Sequence, residues 1–267
     1  MVNRRALLLI AGVLFVVVLA ACGGDAPGDD AETGGPVPGG TAVVALPADP
    51  DVLNPLVHDS KIAAMIYDLM HDGLTELEED MVYRPRIAES WTVAPDGLSI
   101  TYRMKPWNWS DGAPLTSRDV VFSFDLYKNP AVASPRAGFY EDVLRAVALD
   151  ERTVRYDLAR PLPSVMDRTW HHILPAHLLE GLDPARIREW DFNRRPLSSG
   201  EFVLVEWSHN RTLSLVRNER YPGRKALLER VVFRVLPEEG TRLVALETGE
   251  VDLVDGVSPD AARRLAS

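Results

Sequence analysis

The chain has 267 residues, a formal net charge of −10 and a single cysteine. The acidic balance argues against nucleic acid or an anionic lipid surface as a partner, and one cysteine excludes an intrachain disulfide or a thiolate zinc cluster. The length beyond residue 41 suffices for one large domain or two smaller ones.

The first residues read as an export signal. Arg4 and Arg5 precede an unbroken apolar run of 16 residues from Ala6 to Ala21, and small residues follow at Ala20-Ala21-Cys22-Gly23. The run is short of the roughly 20 residues a membrane-spanning helix needs, so residues 1–21 are expected to be a cleaved signal peptide. The string Leu19-Ala20-Ala21-Cys22-Gly23 resembles the bacterial lipobox, which implies lipidation of Cys22 as the mature N-terminus. The expected location is the outer face of the bacterial cytoplasmic membrane, held by a diacyl anchor. Residues 22–40 are rich in Gly, Asp and Pro and read as a flexible leash.

Thr41 to Leu46 reads as a strand, broken by Leu53-Asn54-Pro55. From Lys61, the apolar positions Ile62, Met65, Ile66, Leu69 and Met70 recur at helical spacing, and Gly73 is the expected C-cap. Trp91 to Met104 forms an alternating hairpin about the turn Ala94-Pro95-Asp96-Gly97. Thr116 starts a helix with a capping-box variant, Asp119 standing at N3, and Val120, Val121, Phe124 and Tyr127 form its buried face; Asn129-Pro130 ends it. Another strand spans Asp150 to Leu158. Val165 to Leu179 is expected to be helical in pieces, interrupted by Pro175. A second hairpin pairs Phe202–Trp207 with Thr212–Val216. Strands at Arg230–Leu236 and Val251–Val254 flank a helix ended by Gly249, and Ser258-Pro259 opens one more helix. The mixture predicts an α+β fold.

Three segments carry a resemblance. The first is Pro85-Arg86-Ile87-Ala88-Glu89-Ser90-Trp91 with Pro95-Asp96-Gly97. The second, and most specific, is Trp109-Ser110-Asp111-Gly112-Ala113-Pro114-Leu115-Thr116 continuing to Ser123. The third runs from Ser198-Ser199-Gly200 through Arg217-Asn218-Glu219-Arg220-Tyr221 to Leu246-Glu247-Thr248-Gly249-Glu250-Val251-Asp252-Leu253. In this order, behind a lipobox, they resemble the extracellular solute-binding proteins, family 5, of peptide- and nickel-type ABC importers. The resemblance implies a periplasmic-binding-protein-like scaffold of the large three-part type. It divides the chain into a first part of domain I (41–72), an inserted domain II (73–174) and a second part of domain I (175–267). Family members run to roughly twice this length, so the chain is expected to represent an N-terminal half without the closing lobe.

The implied function is capture of extracytoplasmic oligopeptides or dipeptides for an ABC importer, with the permease subunits as partners and no enzymatic activity. Alternatives are a truncated non-functional surface lipoprotein, or a receptor for nickel complexes or oligosaccharides. By alignment with peptide-binding relatives, the loop His58-Asp59-Ser60-Lys61 is the expected backbone contact to ligand, with Asp59, Ser60 and Lys61 as the contact residues, and Arg136 is suited to a carboxylate. Trp107 and Trp109 are expected to be core. His171, His172 and His177 lack zinc-helix spacing, no Gly-x-Ser-x-Gly elbow is present, and no metal or cofactor is expected. Where relatives carry a Gly-Thr-Gly-Pro-Tyr-like string, this chain has Ser198-Ser199-Gly200-Glu201-Phe202, which keeps the apolar ring.

Overall fold

The computed structural model describes residues 36–266. The signal peptide, Cys22 and most of the leash lie outside the described residues. In chain order the elements are β1 (Thr41–Leu46), α1 (Lys61–Met70), β2 (Thr75–Leu77), β3 (Tyr83–Pro85), β4 (Ala88–Val93), β5 (Ser99–Met104), β6 (Trp107–Asn108), β7 (Pro114–Leu115) and α2 (Ser117–Lys128). There follow β8 (Val143–Asp150), β9 (Thr153–Leu158), α3 (Val165–Thr169), α4 (Ala176–Leu179), β10 (Phe202–Ser208), β11 (Thr212–Arg217), β12 (Arg230–Val235), α5 (Glu239–Glu247), β13 (Leu253–Val254) and α6 (Pro259–Leu265).

Two sheets organise the fold. The five-stranded sheet has the order β10-β11-β12-β1-β13. Strand β1 runs parallel to both β12 and β13, so it is interior to the sheet, as its nearly continuous apolar sequence requires. Pairing begins before β1, because the Gly39 N–H donates to Leu227 O and Gly40 O accepts from Glu229 N. The leash therefore ends earlier than expected. Helix α1 lays Ile66, Tyr67 and Met70 on this sheet against Val44, Leu46, Leu213, Leu215 and Phe233.

The second sheet is antiparallel, in the order β4-β5-β9-β8. Its inner face presents Ile100, Tyr102 and Met104 from β5 and Val154, Tyr156 and Leu158 from β9. Against them pack Val120, Phe124 and Tyr127 of α2. The expected turn closes the β4–β5 hairpin: Gly97 has φ +69°, and the Asp96 carboxylate accepts from Leu98 N. Helix α2 starts as predicted, the Asp119 carboxylate accepting the Thr116 N–H at 2.8 Å. Both Trp107 and Trp109 are buried in this larger core.

The observed helix α1 ends three residues before Gly73, with His71 as the C-cap. Gly73 serves another purpose. A Cβ there would lie 2.8 Å from the indole nitrogen of Trp170, and that indole donates to Thr75 O at 2.9 Å. Among the described residues no helix is long and apolar enough to cross a membrane.

Candidate functional site: a polar cleft

A cavity of about 780 Å³ opens where four segments meet: the C-terminal end of α1, the β2–β3 hairpin, residues 135–140, and α3 with the residues after it. Helix α1 brings Asp68 and, just beyond its end, His71 and Asp72. The 135–140 segment brings Arg136. The segment after α3 brings Trp170 and His172. Each wall is fixed locally. His172 Nε2 bonds Asp68 Oδ1 at 2.8 Å; the Tyr140 hydroxyl donates to Trp170 O at 3.0 Å; and Arg168 lies over the Phe139 ring, 4.5 Å from its centroid. The Tyr83 hydroxyl donates to Asp167.

One side of the cleft is a closed charge network. The Arg86 guanidinium reaches Glu76 at 2.5 Å and Glu201 at 3.5 Å, and the Tyr221 hydroxyl donates to Asp72 Oδ2 at 2.7 Å. Burial pushes the Asp72 carboxyl up to about 6, against the opposing pull of Arg86 and the Tyr221 hydrogen bond. This network ties the β2–β3 hairpin region to the five-stranded sheet, since Glu201 and Tyr221 flank β10 and β11.

The other side is uncommitted. Arg136 is half-buried, yet among the described residues its guanidinium makes no hydrogen bond and no ion pair. His58, in the loop before α1 and not itself lining the cavity, is 3% exposed, and neither of its ring nitrogens has a protein partner among the described residues. His172 Nδ1 is likewise unpartnered. Burial, then Arg136 and His172, lower the His58 pKa, while Asp51 and Asp68 oppose the shift. The loop that carries His58 is held by Asn54: its carbonyl oxygen accepts from Leu56 N at 3.0 Å, and its amide donates to Asn193 at 2.8 Å.

The structure brings together only part of the expected set. Arg136 lines the cleft. Asp59, Ser60 and Lys61 do not line it: Asp59 is exposed, the Ser60 hydroxyl caps α1 by accepting from Ala63 N, and Lys61 pairs with Asp255 at 3.0 Å. His58, the first residue of that loop, does not line the cleft either, whereas His172, considered in the sequence only as a metal ligand, does. A histidine's burial depends on what folds over it, and no local sequence pattern signals that. His171, His172 and His177 engage three different partners, Tyr156, Asp68 and Asp111.

A polar cleft walled by segments of two sheet-based layers, with a free guanidinium facing it, defines a solute-binding scaffold of the periplasmic-binding-protein type. The chain belongs to the bacterial extracellular solute-binding proteins, family 5, whose middle-region model matches residues 82–267. The oligopeptide-binding protein AppA of Bacillus subtilis (strain 168) is 26% identical over 97% of this chain and 50% of that relative. Its structure in complex with a nonapeptide aligns with a TM-score of 0.76 and 26% identity, over 81% of this chain and 44% of that one. The substrate-binding protein CtaP of Listeria monocytogenes aligns with a TM-score of 0.76 and 28% identity, over 86% and 47%. NikZ of Campylobacter jejuni, solved in complex with Ni(L-His), gives 0.71 and 26%, over 79% and 42%. The chain spans about half the length of the curated relatives it matches.

Proposed function

We propose that this chain forms part of a lipid-anchored receptor that captures extracytoplasmic oligopeptides or dipeptides and delivers them to the permease subunits of an ABC importer. In this reading residues 41–72 and 175–267 build one domain, residues 73–174 are inserted into it, and Cys22 carries the lipid. The observation that carries the reading is the half-buried Arg136, which faces the cleft without an ion-pair partner among the described residues. A guanidinium in that setting is matched to a carboxylate, which accepts its paired N–H donors. The similarity to AppA, solved with a nonapeptide, supports peptides as the ligand class.

The test is to expose the purified 267-residue chain to a random tripeptide mixture, desalt it, and identify what stays bound by native mass spectrometry. Peptide adducts are expected on the wild-type chain, reduced at least tenfold in Arg136→Met. Absence of adducts on the wild type would overturn the reading. For the anchor, metabolic labelling with a radioactive fatty acid is expected to mark the wild type and not Cys22→Ala; equal labelling would remove Cys22 as the attachment site.

A further inference from the structure

We infer that the cleft selects peptides whose C-terminal residue carries a large apolar side chain, Arg136 holding the terminal carboxylate while Phe139 and, from the β2–β3 hairpin, Leu77 receive the side chain. The inference rests on the peptide-binding reading above and adds a specificity to it.

Arg136 and Phe139 belong to one tight turn. Residues Ala137–Tyr140 form a 3₁₀ helix with Arg136 as its N-cap, and the Phe139 N–H donates to Arg136 O at 3.0 Å. In a 3₁₀ turn the side chains at i and i+3 eclipse, about 6 Å apart along the axis. Arg136 and Phe139 therefore project on the same side, and both line the cavity. The turn is held at both ends. The Ser134 hydroxyl accepts from Arg136 N at 3.3 Å, and the Tyr140 hydroxyl donates to Trp170 O at 3.0 Å.

Phe139 is the one aromatic ring among the exposed large apolar side chains of the described residues, at 44%. A lone exposed apolar residue on an open surface is ordinary, but this one stands in a concave site. Arg168 lies over its ring and donates to Phe139 O at 2.9 Å, so the residue is fixed in place while much of it stays uncovered. Leu77, at the end of β2, is 41% exposed and lines the same cavity. It pairs across the hairpin with Tyr83, whose hydroxyl donates to Asp167 on α3, and this pins the hairpin to that helix. Two segments far apart in the sequence thus leave apolar surface open to water inside one cleft, beside a guanidinium without a protein partner. A few polar groups that orient a ligand next to apolar walls that take its bulk is the usual make-up of a small-ligand site.

The chemistry of a peptide end matches this arrangement. A C-terminal residue carries its carboxylate and its side chain on the same Cα. Once the carboxylate sits on the guanidinium fork, that side chain is the one within reach of a wall about 6 Å away. In an extended chain the penultimate side chain points the opposite way. Packing an apolar side chain against Phe139 and Leu77 removes apolar surface from water on both partners, whereas a C-terminal glycine gains nothing there.

The experiment is calorimetry of the full chain with four peptides: Gly-Gly-Phe, its sequence isomer Phe-Gly-Gly, Gly-Gly-Gly, and Gly-Gly-Phe with an amidated C-terminus. Gly-Gly-Phe is expected to bind about tenfold or more tightly than each of the other three. The isomer pair needs no variant, because composition is constant and only the residue bearing the carboxylate changes. In Phe139→Ser and in Leu77→Ser the ratio of Gly-Gly-Phe to Gly-Gly-Gly affinity is expected to fall about threefold or more, while Phe139→Leu, which keeps an apolar wall, retains a ratio within about twofold of wild type. Equal affinity of the wild type for the two isomers, or an unchanged ratio in either serine variant, would overturn the selectivity and leave the peptide reading in place. No binding of any of the four peptides to the wild type would overturn both.

Discussion

His171 and His58 are both buried, and they are buried for different reasons. His171 sits among Phe124, Tyr127, Tyr140 and Tyr156. Because its Nδ1 faces His172 O at 3.0 Å, that nitrogen is the donor, and Nε2 accepts from the Tyr156 hydroxyl at 2.8 Å. The ring is one stitch in a closed polar network inside an aromatic core. His58, in the loop before α1, has no stitch at all among the described residues. The same side chain at the same depth is thus tied into the core in one place and left without a protein partner in the other. What separates them is whether the fold itself supplies hydrogen-bond partners.

The largest expected effect that sharpens this contrast is His171→Leu. It leaves the Tyr156 hydroxyl and His172 O without partners in a core, and the expected cost is about 2–4 kcal/mol in urea unfolding. A loss below about 0.5 kcal/mol would break the distinction.

Acid stability comes next. Burial depresses His171 to about 4 and His71 to about 3 from the ordinary 6.5. Both rings stay neutral when folded, so their contribution is fully present above pH 6.5 and is lost as pH falls toward those values. For His171 the loss amounts to about 3 kcal/mol by pH 4. Asp72 works with the opposite sign. Its carboxyl is raised from 3.8 to about 6, so its ionisation costs stability above that value and the cost disappears on acidification. In Asp72→Asn, therefore, stability relative to wild type is expected to decline by up to about 3 kcal/mol between pH 7 and pH 4. Parallel pH profiles for the two proteins would refute the assignment.

The smallest effect is at Lys61. Its pair with Asp255 is largely solvated, the lysine side chain being 80% exposed, and such pairs contribute about 0–1 kcal/mol. Lys61→Ala is expected to leave unfolding within about 0.5 kcal/mol of wild type. It should also leave the amount of retained tripeptide unchanged, since Lys61 does not line the cleft.

Much of the fold was legible because it is written locally. The Thr116–Asp119 cap, the Asp96-Gly97 turn, the Ser258 cap that accepts from Ala261 N and the alternation of β5 and β9 each depend on residues a few positions apart. Strand β8 escaped notice because bulges at Val143/Arg145 and Ala148/Asp150 break its alternation. The position of β1 between β12 and β13 rests on parallel pairing across most of the chain, which no local pattern encodes. The cleft divides in the same way. Arg136 was accessible through resemblance to relatives. Its convergence with Asp68 and His172 was not, because three distant segments meet only in the folded molecule.

The most direct measurement is to determine unfolding stability and tripeptide retention together for Arg136→Met. Removing a half-buried guanidinium that makes no hydrogen bond or ion pair among the described residues is expected to leave the free energy of unfolding within about 0.5 kcal/mol of wild type, while retained peptide falls at least tenfold. Intact peptide retention in the folded variant would contradict the account.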